Sequence, residues 1–141
     1  MRKLLMGLSA ALVVTGCATV HAKQSSHIYQ GITMKQATMA ALSAVGDAGL
    51  AMKSTTTPVD GMTVINAKQN PSILGPTTQL VELTITLIEP HPNNVQVEIN
   101  GIINDAFWEG GLVTNKINAF YGSFEKRLNI KPMSKPAPGS Y

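Results

Sequence analysis

The sequence predicts an α+β domain: a four-stranded antiparallel sheet with two helices packed on one face, in the order α-β-β-β-β-α. Three observations carry this expectation. Two long segments, Gln79 to Glu89 and Val95 to Asn100, alternate apolar and polar residues with period two, as strands with one buried face do. They are joined by Pro90-His91-Pro92-Asn93-Asn94, a turn too short for a parallel crossover. Two segments with helical apolar spacing bracket the strands, one before and one after.

The first helix is marked at both ends. Thr33-Met34-Lys35-Gln36 is a capping-box pattern, in which the Thr33 hydroxyl accepts from the Gln36 amide and the Gln36 side chain answers. Met34, Ala37, Ala41, Val45 and Ala48 recur on one face, and Gly49 is placed as the left-handed stop. A stripe so rich in alanine lets the helix lie close to whatever it covers. Ala51 to Thr57 and Met62 to Ala67 follow as shorter strands about the Pro58-Val59-Asp60-Gly61 turn. Lys68 to Thr78, with Asn70-Pro71 and Gly75-Pro76, reads as a loop. On the long strands Val81, Leu83, Ile85 and Leu87, then Val95, Val97 and Ile99, point to the core. Glu82, Thr84, Thr86, Gln96, Glu98 and Asn100 point to water. The last helix spans about Leu112 to Leu128, with Val113, Ile117, Phe120, Phe124 and Leu128 in one stripe. Asn129 ends it and Pro132 cannot continue it.

The N-terminus is of another kind. Arg2 and Lys3 precede a short apolar run, Leu4 to Val14, which closes on Val14-Thr15-Gly16-Cys17. A basic start and a short apolar stretch describe a secretory leader; the run is too short to cross a bilayer, which takes about 20 residues. Cys17 is the single cysteine, so an intramolecular disulfide is impossible. The four closing residues resemble the lipobox of bacterial lipoproteins. The resemblance implies a diacylglycerol thioether on Cys17, cleavage before it, acylation with fatty chains such as palmitate, and anchoring in a membrane. Ala18, in place of the Asp that retains lipoproteins in the inner membrane, implies the outer membrane, facing the periplasm.

The expected organisation is therefore residues 1–16 as lipoprotein signal peptide, 17–30 as lipidated tether, 31–130 as the α+β periplasmic domain, and 131–141 as a disordered tail rich in Pro, Ser and Lys. The charge follows the same division. The chain carries 11 Lys and Arg against 8 Asp and Glu, but Arg2 and Lys3 leave with the leader. The remainder is near neutral, which argues against nucleic acid as a partner.

The helix ending Val45-Gly46-Asp47-Ala48-Gly49-Leu50, the Asp60-Gly61 turn, the Val95-Gln96-Val97 strand and the closing Phe120-Tyr121 helix, taken with the lipobox, resemble small uncharacterised bacterial lipoproteins of α-β-β-β-β-α order. More distantly they are similar to the helix-grip domains of an accessory lipoprotein of the outer-membrane β-barrel assembly machinery. The resemblance spans most of residues 31–130 and implies a role for Cys17 alone.

The residues suggest no catalytic set. His21 and His27 fall in the expected tether and His91 between prolines, without the spacing of a metal pair; they read as solvated loop histidines. The acids are scattered; Glu82 and Glu98 face water on adjacent strands, where they could be neighbours but would act as solubilising charge. No GxSxG, P-loop or GxGxxG is present, and Gly110-Gly111 is too sparse for an anion site. No cofactor is implied. The stretch that stands out is Asn104 to Gly111, holding Phe107 and Trp108. Aromatic pairs concentrate at interface hot spots, although either ring could instead plug the end of the core. Ile73-Leu74 is a second apolar pair in a polar loop. The expectation is a non-enzymatic, lipid-anchored envelope protein that binds another envelope component, with Phe107 and Trp108 as candidate contacts. The alternative is a small apolar-ligand or lipid-binding module, with the alanine-lined helix bordering a cavity.

Overall fold

The computed structural model describes residues 20–69, 80–104 and 110–133. Its elements run β1 (Val20–Gln30), α1 (Met34–Asp47), β2 (Leu50–Thr56), β3 (Met62–Gln69), β4 (Leu80–His91), β5 (Asn94–Asn104) and α2 (Gly110–Leu128). The strands form one antiparallel sheet in the order β1-β5-β4-β3-β2. Both helices pack on the same face and against each other, α2 over β1, β5 and β4, α1 over β2, β3 and β4.

The sheet has five strands rather than the expected four. The additional strand is β1, in the stretch read as a tether. All eleven of its residues pair with β5, from Val20 opposite Asn104 to Gln30 opposite Asn94. Its pattern hides it. The register places Lys23, Ser25, His27 and Tyr29 on the helix-covered side, with Ala22, Gln24, Ser26 and Ile28 on the other. The inward residues are mostly polar and the outward ones include apolar residues, the reverse of the pattern that marks a half-buried strand.

The other elements follow the sequence. Ile65, Ala67, Val81, Leu83, Ile85, Leu87, Val95, Val97, Ile99 and Ile103 are buried on the inner face, as are Ala37, Ala40, Ala41, Ala44 and Val45 of α1 and Val113, Ile117, Phe120 and Phe124 of α2. The capping box at Thr33 and Gln36 is present in both directions. Gly49 takes φ +79°, the left-handed conformation glycine adopts readily, and Lys116 Nζ donates to the neighbouring Ala48 carbonyl at 2.9 Å. A cation from α2 thus satisfies an orphan acceptor at the end of α1. Asp47, on the last turn of α1, accepts from Ser123 and pairs with Arg127 at 2.8 Å. Both hold its carboxyl below the usual range, the Ser123 hydrogen bond most of all.

At Gly101 the two layers come close together. A Cβ there would stand 2.6 Å from Val113 Cγ1 and 2.9 Å from Leu83 Cδ2, so the hydrogen side chain is what admits α2. The last helix ends at Leu128, where Asn129 takes φ 53° and the Ile130 amide reaches back to the Glu125 carbonyl, a Schellman-type closure. The chain then runs to β1, and the Met133 amide donates to the Ile28 carbonyl at 2.7 Å, covering part of an otherwise open strand edge.

Candidate functional site

Two side-chain groups stand out among the described residues. The first lies where β1 meets α2. Period two along β1 turns Ser25, His27 and Tyr29 inward, and helical spacing on α2 presents Tyr121 and Glu125 to them. Ser25 Oγ donates to Tyr121 Oη at 3.1 Å, and Tyr121 Oη donates to the Val97 carbonyl, also at 3.1 Å. Tyr29, fully buried, donates its hydroxyl proton to Glu125 Oε2 at 2.7 Å. His27 Nδ1 sits 3.3 Å from the same hydroxyl and 3.6 Å from Glu125 Oε2. Because Tyr29 has only one proton and gives it to Glu125, the contact with His27 is one in which Nδ1 donates. The imidazole stacks on Tyr121, and Tyr29 leans on Phe124 with ring centroids 5.1 Å apart.

His27 is thus not a solvated loop residue. Its side chain is 12% exposed, and burial lowers its pKa from 6.5, with the nearby Glu125 carboxylate opposing that fall. Sequence reasoning missed this cluster because it missed β1. The signal was the alternation Ser25-x-His27-x-Tyr29, readable only once a partly polar inward face is allowed. What the cluster does is fasten: Ser25 is committed to Tyr121, while His27 faces Tyr29 and Glu125. Its arrangement ties an edge strand to a helix across 96 residues of sequence separation.

The second group lies on the sheet face away from the helices. Thr84 donates to Asn66, and Asn66 donates to Ser54, at 3.1 and 3.0 Å, forming a ladder across β4, β3 and β2. Glu82 lies 3.8 Å from Lys68 and 3.9 Å from Lys53, both on exposed side chains where such pairs contribute little stability. Lys53, Ser54, Asn66, Glu82, Thr84 and Asn100 line a shallow depression of about 350 Å³. Gln96 donates to both Ser26 and Glu98 farther along the same face. Glu82 and Glu98 are not neighbours: Glu82 stands opposite Ile102 and Glu98 opposite Thr86, with the Thr84–Asn100 pair between them.

The remaining sequence candidates divide. His91 is exposed at the β4–β5 turn. Cys17, Phe107, Trp108 and the Ile73-Leu74 pair lie outside the described residues. Among the described residues no three His, Cys, Asp or Glu side chains gather as a metal site requires, and no helix is long and apolar enough to cross a membrane.

Comparison with known proteins bears on the N-terminus. Residues 1–18 match the family model of the prokaryotic membrane lipoprotein lipid attachment site. The chain carries a bacterial lipoprotein signal. This supports a lipoprotein anchored in the cell envelope through the lipid of its cysteine. No curated protein matches the chain. Among solved structures, an uncharacterized protein from Rhizobium leguminosarum is similar at 8% identity with a TM-score of 0.36, the alignment covering 79% of this lipoprotein and 99% of that chain. A likeness that slight carries no argument about role.

Proposed function

We propose that this lipoprotein sits in the outer membrane, faces the periplasm, and acts without catalysis by binding another envelope protein. The observation that carries the reading is the lipid attachment match at residues 1–18, ending on Cys17-Ala18. Two or three acyl chains anchor a protein firmly, since each buried CH₂ contributes about 0.8 kcal/mol. Ala18, where Asp would retain a lipoprotein in the inner membrane, favours the outer membrane. One described surface supports a binding role: the polar sheet face, where Lys53, Asn66, Glu82, Thr84 and Asn100 present donors, acceptors and both signs of charge. In the sequence, the Phe107-Trp108 pair adds aromatic groups of the kind that concentrate at interfaces.

The test is photo-crosslinking in cells from probes at positions 100 and 108, with a third at the exposed Met39 as the off-site control. A discrete protein adduct from 100 or 108, absent from 39, supports the reading and identifies the partner. Adducts equal at all three positions, or none at any, contradict it.

A further inference from the structure

The register of β1 has a consequence for how the anchored protein is held. Its first described residue, Val20, is already paired with Asn104, which is paired in turn with Leu80. Cys17 precedes Val20 by three residues. A fully extended chain spans at most about 3.3–3.6 Å per residue, so the lipidated residue is within about 10 Å of the edge of the sheet. A long tether would leave the domain free of the surface; a three-residue reach keeps this end of the sheet near the lipid.

The strand is also fixed along its length. Ser25 and Tyr29 are tied to α2, and the Met133 amide holds Ile28 from the open edge. At about 3.3 Å per residue, the far end of β1 at Gln30 is about 33 Å from Val20. Gly61 and the Pro92-Asn93 turn belong to that far end, since Gly61 accepts from Glu89 and Asn93 accepts from Gly31. Three lysines of the sheet, Lys23, Lys53 and Lys68, lie in or beside the rows toward Val20, where Glu82 faces Lys53 and Lys68, whereas Glu98 lies nearer the turns and Glu89 stands beside the Gly61 turn. Lysines near a bilayer are attracted by anionic headgroups.

We infer that the Val20–Asn104–Leu80 end of the sheet rests at the lipid headgroup surface, with the Gly61 and Asn93 turns held away from the bilayer. This rests on the lipid anchor at Cys17 and adds the orientation of the domain upon it. The docked surface is the bilayer itself, and the polar sheet face then stands roughly upright, open to a partner approaching from the side.

The test uses the full lipidated chain in vesicles of phosphatidylethanolamine and phosphatidylglycerol carrying a headgroup-linked acceptor dye. Because acylation blocks the Cys17 sulfur, a donor dye is placed on a single new thiol, Ala22→Cys, Gln30→Cys or Asp60→Cys, all three at exposed sites. Positions 22 and 30 are about 26 Å apart on the same strand. The expected result is energy transfer at least about twofold greater from 22 than from 30 or 60. Equal transfer from 22 and 30, or a reversed gradient, overturns the orientation while leaving the anchor intact. An intact mass without acyl chains on Cys17 overturns the anchor, and the orientation with it.

Discussion

The imidazole of His27 and the phenol of Tyr121 lie face to face, ring centroids 3.9 Å apart and planes inclined by 17°. One belongs to an edge strand and the other to the last helix, so the stack joins the two ends of the folded chain. It also removes the imidazole from water, and the burial lowers the pKa of His27 against the opposing pull of Glu125.

That shift makes stability depend on pH. The folded protein takes up the His27 proton less readily than the unfolded chain, whose value is near 6.5. Below that value the unfolded state binds more protons, so stability falls as pH drops, and the loss is complete once pH is below the folded value. His27→Gln should lack this component. In urea melts, the stability of wild type relative to His27→Gln is expected to decline from pH 7.5 to pH 5. A pH-independent difference between the two would contradict the assignment.

The Tyr29 hydroxyl is expected to matter to stability. Tyr29→Phe removes the proton given to Glu125 while leaving the buried ring. A hydrogen bond to a charged group contributes about 1.5–3 kcal/mol, but the Glu125 side chain is 25% exposed and water can replace the donor, so a loss of about 1 kcal/mol is expected. Denaturant midpoints of the two proteins check it.

Gly101→Ala should destabilise although alanine suits a strand no worse than glycine does. Its methyl would meet Val113 and Leu83 at distances real side chains do not tolerate. Overpacking of this kind costs about 1–3 kcal/mol. Thermal unfolding measures it, and the double variant Gly101→Ala/Val113→Ala should recover part of the loss.

Leu83→Asp tests the register itself. Leu83 is 1% exposed in the middle of the inner face, and an unpaired carboxylate there has no solvent. The expected loss exceeds about 4 kcal/mol, close to the whole stability of many domains. Glu82→Asp, one residue away on the wet face, should melt within about 0.5 kcal/mol of wild type.

Much of this architecture was legible in the sequence. The alternation from Val81 to Leu87 and from Val95 to Ile99 gave both central strands and their buried face, and Thr33, Gln36 and Gly49 gave both ends of α1. What stayed hidden was β1. Its inward face uses Ser25, His27 and Tyr29, whose polar atoms are satisfied by Tyr121 and Glu125 nearly a hundred residues later. Hydrophobic periodicity cannot see a strand whose burial depends on partners so far along the chain. The reading of His27 failed for the same reason, since a residue assigned to a tether is assigned to water, whereas His91 is exposed as expected. The lipid attachment signal matched at residues 1–18 was legible because it is local, four residues read in order after an apolar run.

The most direct test of a lipid-anchored envelope protein is labelling of growing cells with radioactive palmitate, comparing the wild-type chain with Cys17→Ala. Label on the wild type, its loss from the variant, and accumulation of the variant at the size of the unprocessed chain are the expected result. Label that persists on Cys17→Ala would contradict the account.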